Sequence, residues 1–241
     1  MEKSIAICVV TNNSYWESRY CIENLLAKTK LRFRLYVVDN GSKDTRIKDY
    51  CRKLCIDHKG YFKELPEVVS LSVAWNHAMK IVGEDKCVLF PLNCLVNHNW
   101  LEDLYYYHEV IQNVGCIGIR NGFEKLHFMP LVHSNINSQE DPLENVFISS
   151  NNSIEGVMMF DPKILLETGY LDTQLHFTGC EFLEWVFRVS ALGVQNIYIR
   201  NQTLIHLHLR NEILFPKKSK DAIEELRINI EAMVKKQMFK K

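Results

Sequence analysis

Phe33-Arg-Leu-Tyr-Val-Val-Asp-Asn-Gly-Ser-Lys-Asp44 is the stretch whose reading decides the fold. Phe33 to Val38 is rich in β-formers and has no polar alternation, the pattern of a strand buried on both faces. It ends abruptly at Asp39-Asn40-Gly41-Ser42, residues that favour a tight turn. Ser42 is suited to cap a helix, with Asp44 in its first turn, and that helix runs to about Cys55.

The same grammar extends on both sides. Ile5 to Val10 is a continuous apolar strand, followed by helical spacing from Ser14 to Lys28 (Tyr15, Ile22, Leu25, Leu26). Downstream come a short extended piece at 61–65, a helix over 70–82 and a buried strand over Cys87 to Leu92. A helix then opens at Asn99, where Glu102 completes a capping box, and Cys116 to Arg120 is a further strand. Residues 121–150 lack periodicity and are too long for an ordinary connector, so they form a functional loop or a disordered one. A strand over Ile154 to Phe160 leads to a helix capped by Asp161, with Pro162 at its first position and a stop at Gly169. A helix over Glu181 to Leu192, strands over Gln195 to Ile199 and Leu204 to His208, and an amphipathic helix over 219–238 close the chain. Strands alternating with helices make an α/β domain with a mostly parallel sheet. In such sheets ligands bind beyond the carboxyl ends of the strands. Here those ends are Thr11-Asn12-Asn13, Asp39-Asn40-Gly41 and Asn93-Cys94-Leu95.

The totals are consistent with one domain. The chain has 241 residues, 47% of them hydrophobic, enough for one sizeable core, and neither repeats nor linkers divide it. Lysine plus arginine equals aspartate plus glutamate, 29 each, so no bulk field draws the protein to nucleic acid. The amino terminus lacks the pattern of a signal peptide, and no window is apolar enough to span a membrane. The eight cysteines include no C-x-x-C pair. Cys51 and Cys55 lie one helical turn apart, a spacing that fits a metal pair or simply one helix face. A cytoplasmic protein with reduced thiols is expected.

Four segments together resemble the family-2 inverting glycosyltransferases of GT-A fold. They are the opening strand into Thr11-Asn12, Tyr36-Val-Val-Asp-Asn-Gly-Ser-Lys-Asp44, Ser72-Val-Ala-Trp-Asn-His-Ala-Met79, and Gly156 to Phe160 followed by Gly169-Tyr-Leu-Asp172 and Glu181-Phe-Leu-Glu-Trp-Val-Phe-Arg188. The resemblance runs from Ile5 to about His208. It implies a single Rossmann-like GT-A domain with helices on both sides of the sheet. Residues 1–120 would form the nucleotide-sugar-binding half and 121–210 the acceptor and catalytic half, with loop 121–150 over the acceptor side. The implied activity is sugar transfer from a nucleotide-diphosphate donor to a glycan or lipid-linked acceptor, as in polysaccharide biosynthesis. Thr11, Asn12, Asp39, Asn40, Gly41, Trp75, Asn76 and Asn93 are the implied donor contacts. The chemistry accords with this: a strand-end carboxylate accepts from base or ribose donors, and Asn40-Gly41 permits close backbone approach. Trp75 on an apolar helix face fits a core position equally well.

Two motifs depart from the family pattern. The metal-binding D-x-D lies about seven residues before a tryptophan; counting back from Trp100 gives Asn93-Cys94-Leu95. Asn93 offers one neutral oxygen to Mn²⁺ or Mg²⁺, Leu95 none, and a thiol suits a hard cation poorly. His206 and His208 alternate along a strand and so point to opposite faces; the resemblance implies that one of them lies near the cation or diphosphate and the other is structural, while hydrogen-bonded core histidines are the competing reading. In the E-D-x-D segment Phe182 takes the inner acidic position. Glu181 is then the first candidate for the general base and Glu184 the second, unless Glu184 pairs with Arg188 four residues on. The competing expectation is a catalytically degenerate nucleotide- or partner-binding module that assembles into a homo-oligomer through helix 219–238.

Overall fold

A computed structural model describes residues 4–121, 146–149, 156–174 and 180–206; for 120, 121, 146–149, 180, 181, 200, 201, 203, 205 and 206 it describes the backbone alone. Strand β1 (Ile5–Thr11) is hydrogen-bonded in parallel to β2 (Arg34–Asp39) on one side and to β4 (Lys86–Leu89) on the other. Strand β3 (Tyr61–Glu64) adds outside β2, also in parallel. Beyond β4 lie β8 (Met158–Phe160), antiparallel to it, then β6 (Val114–Asn121), then β9 (Gln195–His206), parallel to β6. Strand β7 (Val146–Ser149) pairs antiparallel with β9, and the two-residue β5 (Cys94–Leu95) pairs with the far end of β9. The sheet is mostly parallel, as expected for the GT-A plan.

Alternation along these strands splits the core into two layers. Ile5, Ile7, Val9, Leu35, Val37, Val88 and Ile117 face one side, against α1 (Tyr15–Lys28), α2 (Thr45–Asp57) and α4 (Trp100–Val110). Ala6, Cys8, Tyr36, Val38, Cys87 and Cys116 face the other, against α3 (Leu71–Met79), the short α5 (Leu165–Thr168) and α6 (Cys180–Ser190). Each aliphatic side chain so enclosed contributes about 1.5–3 kcal/mol. Helices α1 and α2 carry the chain outward from β1 to β3 on one face, and α3 returns it to β4 on the other. Strand order therefore reverses between β1 and β4, the switch point where open α/β sheets form their crevice.

Several local expectations are corrected. Ser42 does not cap α2. Its hydroxyl and N–H are both held by the Asp39 carboxylate, so the cap falls to Asp44, which accepts from the Arg46 N–H. The capping box at Asn99 is absent: Asn99 is left-handed (φ 60°) and makes no side-chain cap, while Glu102 accepts from the N–H groups of Lys30 and Leu31 instead. The pieces 195–199 and 204–206 form one strand, because a register shift between Ile119 and Arg120 lets β9 pass through residues 200–202 without breaking. Strand β7 lies inside the stretch expected to be loop 121–150. His208 and the expected helix 219–238 lie outside the described residues.

Candidate functional site

At the carboxyl ends of β1 and β2 two loops lock together. Asp39 has no exposed surface, and three donors meet it: the Thr11 hydroxyl at 3.0 Å, the Ser42 hydroxyl at 2.5 Å and the Ser42 N–H at 3.0 Å. Asn13, at φ 51°, donates its N–H to the Ser42 hydroxyl and accepts from the Lys43 N–H at 2.6 Å. Asn40 is buried, and its side-chain amide both donates to the Val69 carbonyl and accepts from the Val69 N–H. That pair of bonds draws loop 65–70 over the turn, where only glycine fits: a Cβ on Gly41 (φ 65°) would sit 2.5 Å from the Glu67 carbonyl carbon. Asn12 donates to the Asn40 carbonyl and remains exposed, as does Asn13. Thr11, Asp39 and Asn40 thus build the turn from within, while Asn12, Asn13 and the Gly41 backbone form its accessible rim.

The second wall follows β4. The chain runs through Phe90-Pro91-Leu92 to Asn93 and β5, which pairs antiparallel with the end of β9, Cys94 opposite His206 and Leu95 opposite Ile205. The register therefore brings the His206 backbone beside the Asn93-Cys94-Leu95 segment, two parts of the chain more than a hundred residues apart. Asn24 of α1 fixes the segment by accepting from the Val96 N–H at 2.8 Å. Burial pushes the Cys94 thiol up to about 12, so it is a protonated S–H, and it donates to the Asn93 side-chain oxygen Oδ1 at 3.4 Å. Cys51 and Cys55 are buried with thiols also raised by burial, which gives them the character of core residues. Among the described residues no three His, Cys, Asp or Glu side chains gather to hold a metal ion.

The third wall is a segment held from two helices. Asn76 of α3 is buried; its amide accepts from the Leu171 N–H at 2.9 Å and donates to the Leu171 carbonyl at 2.8 Å. The indole N–H of Trp185 meets the Thr168 hydroxyl and the Gly169 carbonyl, each at 3.0 Å. Arg188 donates to the carbonyls of Thr168 and Tyr170 and grips Glu184 with two bonds of 2.7 Å. The Glu184 side chain is only 12% exposed, so the expected i,i+4 pairing holds. Phe182 packs edge-on against Trp75, centroids 5.7 Å apart, and both are core residues. Glu181 lies in the first turn of α6, and its side chain lies outside the described part.

Sequence reasoning missed the Asn13, Asn24, Asn76–Leu171 and Val69 contacts. Only Asn13 carried a local signal, an asparagine in a polar turn where left-handed backbone is favourable.

These walls sit where a GT-A fold places its crevice, and a family model, Glycosyl transferase family 2, matches residues 6–165. The chain belongs to glycosyl transferase family 2. The matched residues include the first three resembling segments and end before Gly169. Comparison with characterised protein sequences found no match. In fold the chain is similar to GalNAc-T7 crystallised with UDP, GalNAc and Mn²⁺ (13% identity, TM-score 0.66, covering 85% of this chain and 44% of that one). It is also similar to the mannosyltransferase PcManGT of Pyrobaculum calidifontis with GDP-Man and Mn²⁺ (14%, 0.67, 94% and 61%). A third similar structure is residues 1–349 of S. aureus TarS, with UDP-GlcNAc in one crystal (14%, 0.63, 83% and 57%). The chain thus spans between 44% and 61% of the length of these proteins. Among the described residues no helix is long and apolar enough to cross a membrane.

Proposed function

We propose that the chain binds a nucleotide-diphosphate sugar in the crevice between the β1 and β2 ends and the β5–β9 pair, and transfers the sugar with inversion to a glycan or lipid-linked acceptor. The observation that carries the reading is the interlocked turn at Asp39: a buried carboxylate, a glycine that no other residue replaces and an exposed asparagine rim, all at the switch point of a family-2 fold. In this reading Asn12 and the Gly41 backbone meet the nucleoside, and Asp39 with Asn40 keeps that rim in shape. Asn93 and His206 lie on the diphosphate side. Glu181 takes the proton from the acceptor hydroxyl as that oxygen bonds to the anomeric carbon and the nucleoside diphosphate leaves.

The residues at the metal position do not suit a resident Mn²⁺ or Mg²⁺. Asn93 supplies one neutral oxygen, Leu95 none, and the Cys94 thiol stays protonated. Charge on the leaving diphosphate is then met by histidine, by backbone N–H groups or by Lys125. A cytosolic setting, a part in polysaccharide synthesis and self-assembly through residues 219–238 complete this reading.

One set of contacts favours a non-catalytic alternative. Phe182 is core, Glu184 is committed to Arg188, and no carboxylate stands at 93–95. The deciding experiment is calorimetry and transfer assay over a panel of UDP-, GDP- and dTDP-sugars, with Mn²⁺ and with excess chelator. Donor binding with turnover that persists in chelator supports the proposal. Binding without turnover selects the alternative. Turnover abolished by chelator and restored by micromolar Mn²⁺ would show that the cation ligands lie elsewhere in the chain.

A further inference from the structure

Helix α1 leaves the site rim carrying an aromatic surface that nothing above uses. Trp16 is 68% exposed and Tyr20, one turn on, 57%. Tyr15 meets Trp16 edge-on at 4.9 Å and Tyr50 of α2 at 6.2 Å. Arg19 lies over the Trp16 and Tyr50 rings, 5.9 and 5.8 Å from their centroids, and Arg46 lies 5.0 Å over Tyr15. Two large exposed rings one helical turn apart, rimmed by polar side chains, form the kind of apolar patch that marks a contact surface.

Charge and area select the occupant. Each guanidinium is neutralised locally, Arg19 by Glu23 at 2.7 Å and Arg46 by Asp44 at 2.6 Å, so the patch offers no net positive field for phosphate, acidic lipid or nucleic acid. Among the described residues, the Arg19 Nη2 and Arg46 Nη1 groups make no hydrogen bond, which leaves N–H donors beside the rings. The two exposed rings together offer roughly 200–300 Å² of apolar surface. That falls well short of the roughly 800 Å² per partner of a stable protein interface, but it covers one or two sugar rings. Flat apolar area alternating with N–H donors is the complement of an uncharged pyranose, which has a C–H face and a girdle of hydroxyls.

We propose that Trp16 and Tyr20, with Arg19 and Arg46, form a docking site for an uncharged oligosaccharide, the distal part of the acceptor glycan. The inference rests on the proposed glycosyl transfer only for the word acceptor; the binding itself stands alone. Trp75, Trp100 and Trp185 are buried, so Trp16 dominates any solvent-sensitive tryptophan fluorescence.

The test titrates the full chain with neutral gluco-, manno-, xylo- and chito-oligosaccharides, followed by that fluorescence and by calorimetry. The expected result is a saturable blue shift with at least one series in the millimolar range, with calorimetric affinity lowered about tenfold or more in Trp16→Ala and severalfold in Tyr20→Ala. Absence of saturable binding across all four series overturns the proposal, as does equal binding by Trp16→Ala with an unchanged circular dichroism spectrum. A fluorescence response to phosphatidylcholine–phosphatidylglycerol vesicles alone, or to protein concentration alone, overturns it in favour of a membrane or a second copy. Nucleotide-sugar calorimetry on the same samples separates the two readings, since failed oligosaccharide binding with intact donor binding sinks this proposal only.

Discussion

Three donors converge on the Asp39 carboxylate, and replacing it by asparagine keeps the shape while placing an NH₂ group against one of them. The orphaned donor is buried, so Asp39→Asn is expected to lower stability by about 1–3 kcal/mol. The urea midpoint reads this directly, and donor affinity should fall with it because the rim at Asn12 and Gly41 loosens. An unchanged midpoint would mean that the bond lost to the amide contributes nothing net. The glutamates separate by a different measurement. Glu181→Gln is expected to cut turnover about 10²–10⁴-fold with donor affinity nearly constant. Glu184→Gln instead breaks a two-bond pair with Arg188, a residue that also holds the Thr168 and Tyr170 carbonyls. Its cost should appear as about 1–3 kcal/mol of stability, since the pair is mostly enclosed. If turnover collapses in Glu184→Gln with stability intact, the base has been assigned one helical turn too early.

Among the elements, the clamp from α3 to Leu171 joins residues 95 positions apart. Asn76→Ala leaves a buried N–H and a buried carbonyl unpaired, so a loss of about 2–4 kcal/mol is expected, measured as unfolding free energy. Asn76→Asp keeps the acceptor and loses the donor, and should fall between wild type and alanine; an aspartate worse than alanine would show that repulsion between its carboxylate and the Leu171 carbonyl outweighs the bond it keeps. The sequence announced the elements more clearly than their ends. Strands β1 and β2 are unbroken apolar runs, and in a parallel sheet both faces are covered, so the runs stand out unaided. The cap of α2 was ambiguous because Ser42 and Asp44 are both good caps, and the choice was made by Asp39, which captures Ser42 first. Residues 200–203, Arg-Asn-Gln-Thr, look like a turn, yet a register shift carries β9 through them. The site was legible where it is local, at Asp39-Asn40-Gly41. It was illegible where partners are distant, as with Asn76 on Leu171 and Asn24 on Val96, whose contacts leave no periodic trace, whereas the Glu184–Arg188 pair, four residues apart, was legible.

For the molecule as a whole, the least soluble charge problem sits in the layer beneath α4. The Lys86 side chain is nearly enclosed, its ammonium 2.9 Å from His108 Nδ1 and 2.9 Å from the Glu109 carboxylate. His108 Nε2 is buried with no partner among the described residues. Burial first, and the Lys86 charge second, lower the His108 pKa from 6.5 to about 4, with a backbone hydrogen bond, Glu109 and Asp161 pulling the other way. The folded protein therefore binds fewer protons than the unfolded chain between those two values, and stability must rise with pH across that window. The stabilisation from neutral His108 is complete above about pH 6.5 and is lost as pH falls toward 4, a swing of about 2–4 kcal/mol at 1.36 kcal/mol per unit. His77, beside Lys63 and Lys80, is shifted the same way by its own burial and by those charges, so wild type alone does not apportion the effect. The comparison that does is urea unfolding of wild type and His108→Gln at pH 5, 6 and 7. Glutamine keeps an acceptor for Lys86 and cannot titrate, so its stability should vary less over that range, and the wild-type advantage should shrink as pH drops. Parallel curves for the two proteins would mean that His108 keeps its ordinary pKa in the fold.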